Sequence, residues 1–199
     1  MRKKIIASVM AALCIGSSIA YADTGTAHIK IGSISGGASN ISYWYDTSVS
    51  SYGQNGAVDN ARSQWDSISS GIGWSAGTQS SAKMKVFAGY QALPGGTYGQ
   101  TSYYNYNWYG GVDQVYSDDV TNGSSYDQAQ VILDAGWTSS WSQSERWMNA
   151  GHEVGHVLGM NHFENSPEHA GSHWMKSGRY TLTTPTEIDI AHMRTKWGY

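Results

Sequence analysis

Residues 152–162 read His-Glu-Val-Gly-His-Val-Leu-Gly-Met-Asn-His, and this stretch decides how the rest of the chain is read. Side chains four apart on a helix stand on one face, one turn above the other. His152 and His156 are so placed, and two imidazoles at that spacing reach one metal ion, Zn²⁺ being suited at about 2.0–2.1 Å. Glu153, one residue round from His152, leans toward a water at that metal without ligating it. His162 is six residues after His156, too far to share a straight helix face. It becomes a third ligand only if the helix ends and the backbone turns sharply, which Gly159 permits because it has no Cβ to clash at positive φ. Three protein ligands leave a fourth zinc position for water, the arrangement of a catalytic rather than a structural site.

The surrounding sequence supplies a helix to carry this set. Ser142-x-x-Glu145 is a capping box, in which the Ser oxygen takes one free backbone N–H and the Glu reaches back to another. Trp147, Ala150, Val154, Val157 and Leu158 give that helix a buried side. Ala57, Val58, Ala61, Trp65 and Ile68 recur at spacings of three and four and predict an earlier amphipathic helix of about four turns, closed by Gly71 and Gly73. A last helix is expected after Thr184 as cap, Pro185 in the first turn and Glu187 closing a second box, with Ile188, Ala191, Thr195 and Trp197 docking it. Strands are expected at 41–46, 83–88 and 129–133, with a short edge strand at 28–31. The Tyr-rich stretch 95–111 reads as surface loop and strand. Asp113 to Asp127 reads as a solvated loop that leaves a Ca²⁺ site open, since calcium takes oxygen ligands.

The ends and the composition bound the class. Arg2, Lys3 and Lys4, the apolar run 5–19 and Ala20-Tyr21-Ala22 form a secretory signal peptide, residues 1–22, cut after Ala22. The run of about 15 residues is short of the ~20 needed to span a bilayer. Leu13 before Cys14 does not suit a lipoprotein signal, so residues 23–199 contain no cysteine, hence no disulfide and no thiolate ligand. That part carries nine basic and fifteen acidic residues, a formal charge of −6. With a pI of about 6.1 for the whole chain, neither nucleic acid nor a membrane surface is an expected partner. Hydrophobic residues at 40% and charged residues at 14% give a core-forming chain rather than a disordered one. The 199 residues allow one domain: a short N-terminal segment, 23–40, and a folded body, 41–199.

His152-Glu-x-x-His156-x-x-Gly159-x-x-His162 resembles the long zinc signature of the metzincin metalloproteases. Within that clan the chain is most similar to a minimal, secreted bacterial version of the matrixin-like branch, since Gly155 and Leu158 agree with the matrixin helix. The resemblance covers about residues 41–197. It implies an α+β fold with a twisted, mostly parallel sheet, a long first helix, a zinc-binding helix, a methionine turn and a C-terminal helix. Met175 is the implied Met-turn residue and Asp189 the helix aspartate that braces the turn. The implied activity is that of a monomeric, secreted zinc endopeptidase acting on protein or peptide substrates, with one catalytic zinc on His152, His156 and His162 and Glu153 as general base. The implied substrate edge is the strand at 83–88 or the Tyr-rich strand after it, and the implied pocket wall is 177–180.

The departures from that pattern are informative. The stretch from His162 to Met175 is long for a matrixin, and its His169 and His173 are read as loop residues outside the ligand set. Ser177 stands where astacin-like and serralysin-like branches have a tyrosine ligand, so that ligand is not carried over. No histidine lies between His28 and His152, so the structural zinc site of vertebrate matrixins is not expected. Cysteine-switch latency is excluded by the absent thiol. Three other readings fit parts of the sequence: a secreted zinc-containing binding protein without protease activity, a hydrolase of non-peptide amides, and a sugar-binding module using the aromatic residues of 98–109.

Overall fold

The computed structural model describes residues 26–199; the signal-peptide reading of residues 1–22 lies outside the described residues. A 3-10 turn, Thr26–His28, leads to β1 (Ile41–Tyr45), α1 (Thr47–Ser51), α2 (Asn55–Asp66), β2 (Trp74–Ala76), β3 (Met84–Gly89), β4 (Gly99–Tyr106), β5 (Val112–Val115), α3 (Ser117–Thr121), β6 (Gln128–Asp134), α4 (Ala135–Thr138), α5 (Gln143–Val157) and α6 (Glu187–Trp197). The fold is α+β. The strands form one mixed sheet in the order β2-β1-β3-β6-β4-β5. β1 pairs in parallel with β2 and β3, and β3 with β6, whereas β4 runs antiparallel to both β6 and β5. Among the described residues no helix is long and apolar enough to cross a membrane.

The core forms where the apolar faces of α2, α5 and the sheet meet. Alternation in β3 buries Met84, Val86 and Ala88 and leaves Lys85 and Phe87 half-buried. α2 buries Ala57, Val58, Ala61 and Trp65, and α5 buries Met148, Ala150, Val154 and Val157. The Trp65 indole N–H donates to the Gly151 carbonyl at 2.9 Å, so the two helices are fastened by a satisfied polar contact inside an apolar layer. Residues 26–40 are part of this body. Ile29, Ile34 and Ala38 are buried, and the Lys30 N–H donates to the Gly159 carbonyl at 2.8 Å.

Several expectations are corrected. β3 is not a sheet edge; it lies between β1 and β6, because alternation reports which face is buried but not which strand neighbours which. The stretch 28–31 forms no strand: His28 closes the 3-10 turn and Ile29 makes a single bridge to Met160. α2 stops at Asp66, so Ile68 packs from beyond the helix, which ends before Gly71. Residues 113–127 hold most of β5, all of α3 and the approach to β6 rather than a plain loop. α6 begins two residues later than expected, with Thr186 as cap and Asp189 as its capping-box partner. It docks through buried Asp189, His192 and Met193 together with the expected Ile188 and Trp197, which pack half-buried against the core, whereas Ala191 is half-buried and Thr195 exposed.

Candidate metal centre and cleft

The capping box of α5 is present as read: Ser142 Oγ accepts from the Glu145 N–H and Glu145 Oε2 from the Ser142 N–H. α5 runs to Val157, and Gly159 follows at φ +84°. A Cβ on Gly159 would overlap Lys196 Cε, so the turn needs glycine for backbone angle and for space. The turn brings His162 back over the helix. The Nε2 atoms of His152, His156 and His162 then lie 3.1 Å (152–156), 3.2 Å (152–162) and 2.9 Å (156–162) apart.

The ring orientations follow from the opposite nitrogens. His152 Nδ1 is 2.7 Å from the Trp174 carbonyl and His156 Nδ1 is 2.9 Å from the Met160 carbonyl. A carbonyl only accepts, so both Nδ1 atoms carry the proton and both Nε2 atoms present lone pairs. His162 Nδ1 sits 3.5 Å from Ser177 Oγ, a looser contact. The converging lone pairs of His152 and His156, 3.1 Å apart, repel one another unless a cation or a proton donor lies between them. Ligands of a tetrahedral zinc at 2.0–2.1 Å stand roughly 3.3–3.4 Å apart, within a few tenths of an ångström of the spacing here. Burial keeps all three rings neutral. It pushes His152 down to about 3, with His162 beside it adding to the shift and the Trp174 carbonyl opposing it. His156 and His162 are lowered by the same desolvation. A neutral imidazole is the form that ligates a metal.

Glu153 is buried beside this set. Its Oε2 accepts from the Thr101 hydroxyl at 2.8 Å, and its side chain lies against the Gly99 backbone, where a Cβ would come within 2.6 Å of Cγ and Oε1. Desolvation raises its carboxyl to about 7, partly offset by the Thr101 hydrogen bond. Glu153 and the three histidines line a cleft of about 710 Å³, with Gly99–Thr101 on one wall and Ser177–Gly178 on another. β4 pairs with β6 over Gly99–Tyr104 but with β5 only over Tyr103–Tyr106. The outer edge of β4 from Gly99 to Ser102 therefore has no strand on it among the described residues, and its Gly99, Gln100 and Thr101 line this cleft.

Beneath α5 lies the turn at Trp174–Met175, both fully buried. A Cβ on Gly151 would overlap the Trp174 ring, and one on Gly155 would overlap Met175 Sδ. The two glycines, four apart, thus form a groove that admits these side chains directly under the ligand-bearing face. Asp189 holds the turn from below: its carboxylate accepts from the Trp174 and Met175 N–H groups, each at 3.0 Å, and from the Thr186 N–H and hydroxyl, each at 2.8 Å.

The structure thus brings together His152, Glu153, His156 and His162, and places Gly159, Met175 and Asp189 behind them. His173 stays outside, bonded to Thr186 Oγ1 and the Ala170 carbonyl. His169 also lies in a loop outside the cleft's ligand set, as expected, and it is buried there with His28 and His192 in a second group able to hold a metal. Sequence reading missed Thr101, Gly99 and Lys30. Lys30 reaches the cleft with its ammonium on Ser117 Oγ at 2.7 Å, and burial lowers it to about 8 against the opposing pull of Asp118. Only the Gly-Tyr-rich character of 95–111 hinted at a ligand-facing strand. The aspartates of 113–127 are spread out, Asp113 on Asn107 and Asp127 on the Tyr106 N–H. Among the described residues they form no group able to hold a metal. No protein-family model matches the chain, and no curated protein matches it.

Proposed function

We propose that this chain is a secreted zinc endopeptidase of the metzincin, matrixin-like kind, acting on extended protein or peptide substrates. The observation that carries the reading is the convergence of three neutral imidazole Nε2 atoms beside a buried carboxylate in an open cleft. His152, His156 and His162 would hold the metal, and the Trp174 and Met160 carbonyls would fix the tautomers of the first two. Zinc bound there supplies a water more acidic than bulk and polarises the scissile carbonyl. Glu153 takes the attacking water's proton and returns it to the leaving amine, a role suited to a carboxyl poised near neutrality. Thr101 positions that carboxylate. The substrate backbone adds to the uncovered edge of β4, Gly99–Ser102, by main-chain hydrogen bonds, which places a peptide alongside Glu153. The segment 1–22 supports export.

The test pairs the parent with Glu153→Ala on casein and on a quenched peptide library. Expected are cleavage by the parent, abolished by a chelator and restored by zinc, and no cleavage by the variant at unchanged zinc content. Cleavage by the variant at the parent's rate would overturn the role of Glu153. A folded, zinc-loaded parent that cuts no peptide bond in either substrate would overturn the peptidase reading and favour a binding protein.

A further inference from the structure

Three buried histidines from distant parts of the chain meet on the side of the molecule formed by the N-terminal segment and α6. His28 ends the 3-10 turn, His169 lies in the long stretch between His162 and Met175, and His192 is on α6. Their exposures are 1%, 6% and 0%. Their ring centroids are 4.6 Å (28–169), 5.2 Å (28–192) and 5.0 Å (169–192) apart. The corresponding separations in the cleft triad are 4.6, 5.0 and 4.7 Å, so the rings of the second set stand about as far apart as those of the first. One ligand nitrogen from each ring lies within 4.8 Å of the other two.

The polar chemistry points the same way. His28 Nε2 is 3.0 Å from the Asn165 carbonyl and His192 Nδ1 is 2.9 Å from the Ile188 carbonyl. Each bond to a carbonyl fixes the proton on that nitrogen and the lone pair on the other, as carbonyls do for metal-bound imidazoles. His28 Nδ1, the lone-pair atom, is buried with no hydrogen-bond partner among the described residues. The Phe163 ring packs at 5.0–5.1 Å on all three imidazoles and shields them from water. A buried imidazole lone pair facing other imidazoles in an apolar shell is unfavourable unless something accepts it. Three nitrogen donors with no thiolate suit zinc first, and copper or nickel next.

We propose that His28, His169 and His192 bind a divalent transition metal, zinc in the native protein, as a buried structural ion separate from the cleft. The ion joins the N-terminal segment and the 163–175 stretch to α6. It takes no part in the chemistry of the cleft.

The test measures zinc per folded chain and the melting temperature, neither of which requires activity. The double variant His152→Ala/His156→Ala removes the cleft site and leaves the second triad untouched. It is expected to retain one zinc per chain, and its Tm is expected to fall by roughly 5–10 °C when a chelator strips the metal and to recover on adding zinc. His169→Gln in the otherwise natural chain is expected to lose one zinc equivalent while keeping the cleft's. A folded double variant that binds no zinc and melts at the same temperature with and without it would overturn the proposal. So would a folded His169→Gln chain with the parent's zinc content.

Discussion

Replacing Gly151 by alanine sets two effects of opposite sign against each other. In a helix interior, Gly→Ala is favourable by about 0.8–1 kcal/mol. At Gly151, however, the added Cβ would overlap Trp174 Cε3 and Cζ3 and stand 2.7 Å from Cδ2, where about 3.5–4.0 Å is comfortable. The ring is unable to yield: it is fully buried and packs edge-on against Trp65 at 5.4 Å and 81°. Trp65 is itself tied to the Gly151 carbonyl. Overpacking of this kind destabilises by about 1–3 kcal/mol and sometimes more, so the overlap outweighs propensity. With the Cβ overlapping two carbons of the ring the upper end of that range applies, so the expected net loss is about 2 kcal/mol, or a Tm lower by roughly 4–8 °C. Gly56→Ala in α2 is the control, since its Cβ meets nothing within 4 Å, and it is expected to be neutral or to stabilise by up to about 1 kcal/mol. Urea unfolding of both variants beside the parent decides the matter. A Gly151→Ala protein as stable as the parent would refute the groove argument, because propensity alone would then govern the site.

Asp189→Asn places an amide NH₂ against one of the backbone N–H groups that the carboxylate serves, and is expected to cost about 1.5–3 kcal/mol in urea unfolding. Through the Trp174 carbonyl it is also expected to weaken zinc at the cleft by roughly 10–100-fold in a competition titration, and a change under twofold would break that link. Gly159→Ala forces a left-handed backbone on a residue with a Cβ and crowds Lys196, whose ammonium is held by the Lys30 and Gly32 carbonyls. A loss of about 1–3 kcal/mol is expected, and a neutral result would show the turn to be adaptable. The Glu145 carboxyl is held down to about 2 by Arg179, then by Ser142. A depressed carboxylate stabilises fully above its unfolded value near 4.5, and that stabilisation is lost as pH falls through about 2. The gap in unfolding midpoint between parent and Glu145→Gln should therefore be constant above pH 5 and close between pH 4.5 and 2. A gap that persists at pH 2 would argue against this cause.

The parts of the site that were legible in the sequence are those set by spacing along one element. A helix fixes the separation of His152 and His156, a capping box announces its own start, and a glycine three residues before the last ligand declares a turn. What distant segments do to one another was legible only in part. Met175 and Asp189 were placed by family resemblance, yet nothing local in Gly151 or Gly155 says that Trp174 and Met175 will lie on them. His28, His169 and His192 share no spacing at all, because the topology alone brings them together. The cap of α6 was misplaced because both Thr184-x-x-Glu187 and Thr186-x-x-Asp189 satisfy the local pattern; the second prevails by also satisfying the buried N–H groups of the Trp174–Met175 turn. The sequence left the bare edge open between 83–88 and the Tyr-rich strand for a related reason: β4 is exposed there because β5 is too short to cover it, and strand length is set where pairing stops.

The Asp189 carboxylate has a consequence for the order in which the molecule becomes competent. The three cleft histidines lie within eleven residues of sequence, yet the proton position on His152 is held by the Trp174 carbonyl, and that turn is held by a residue of the last helix. A chain emerging from a ribosome or a translocation channel N-terminus first presents the ligand helix well before α6. Until α6 docks, His152 has no fixed tautomer and the cleft no floor. Assembly of the cleft is thus tied to the docking of the last helix, and removing α6 would leave every ligand in the sequence while taking away the Asp189 brace.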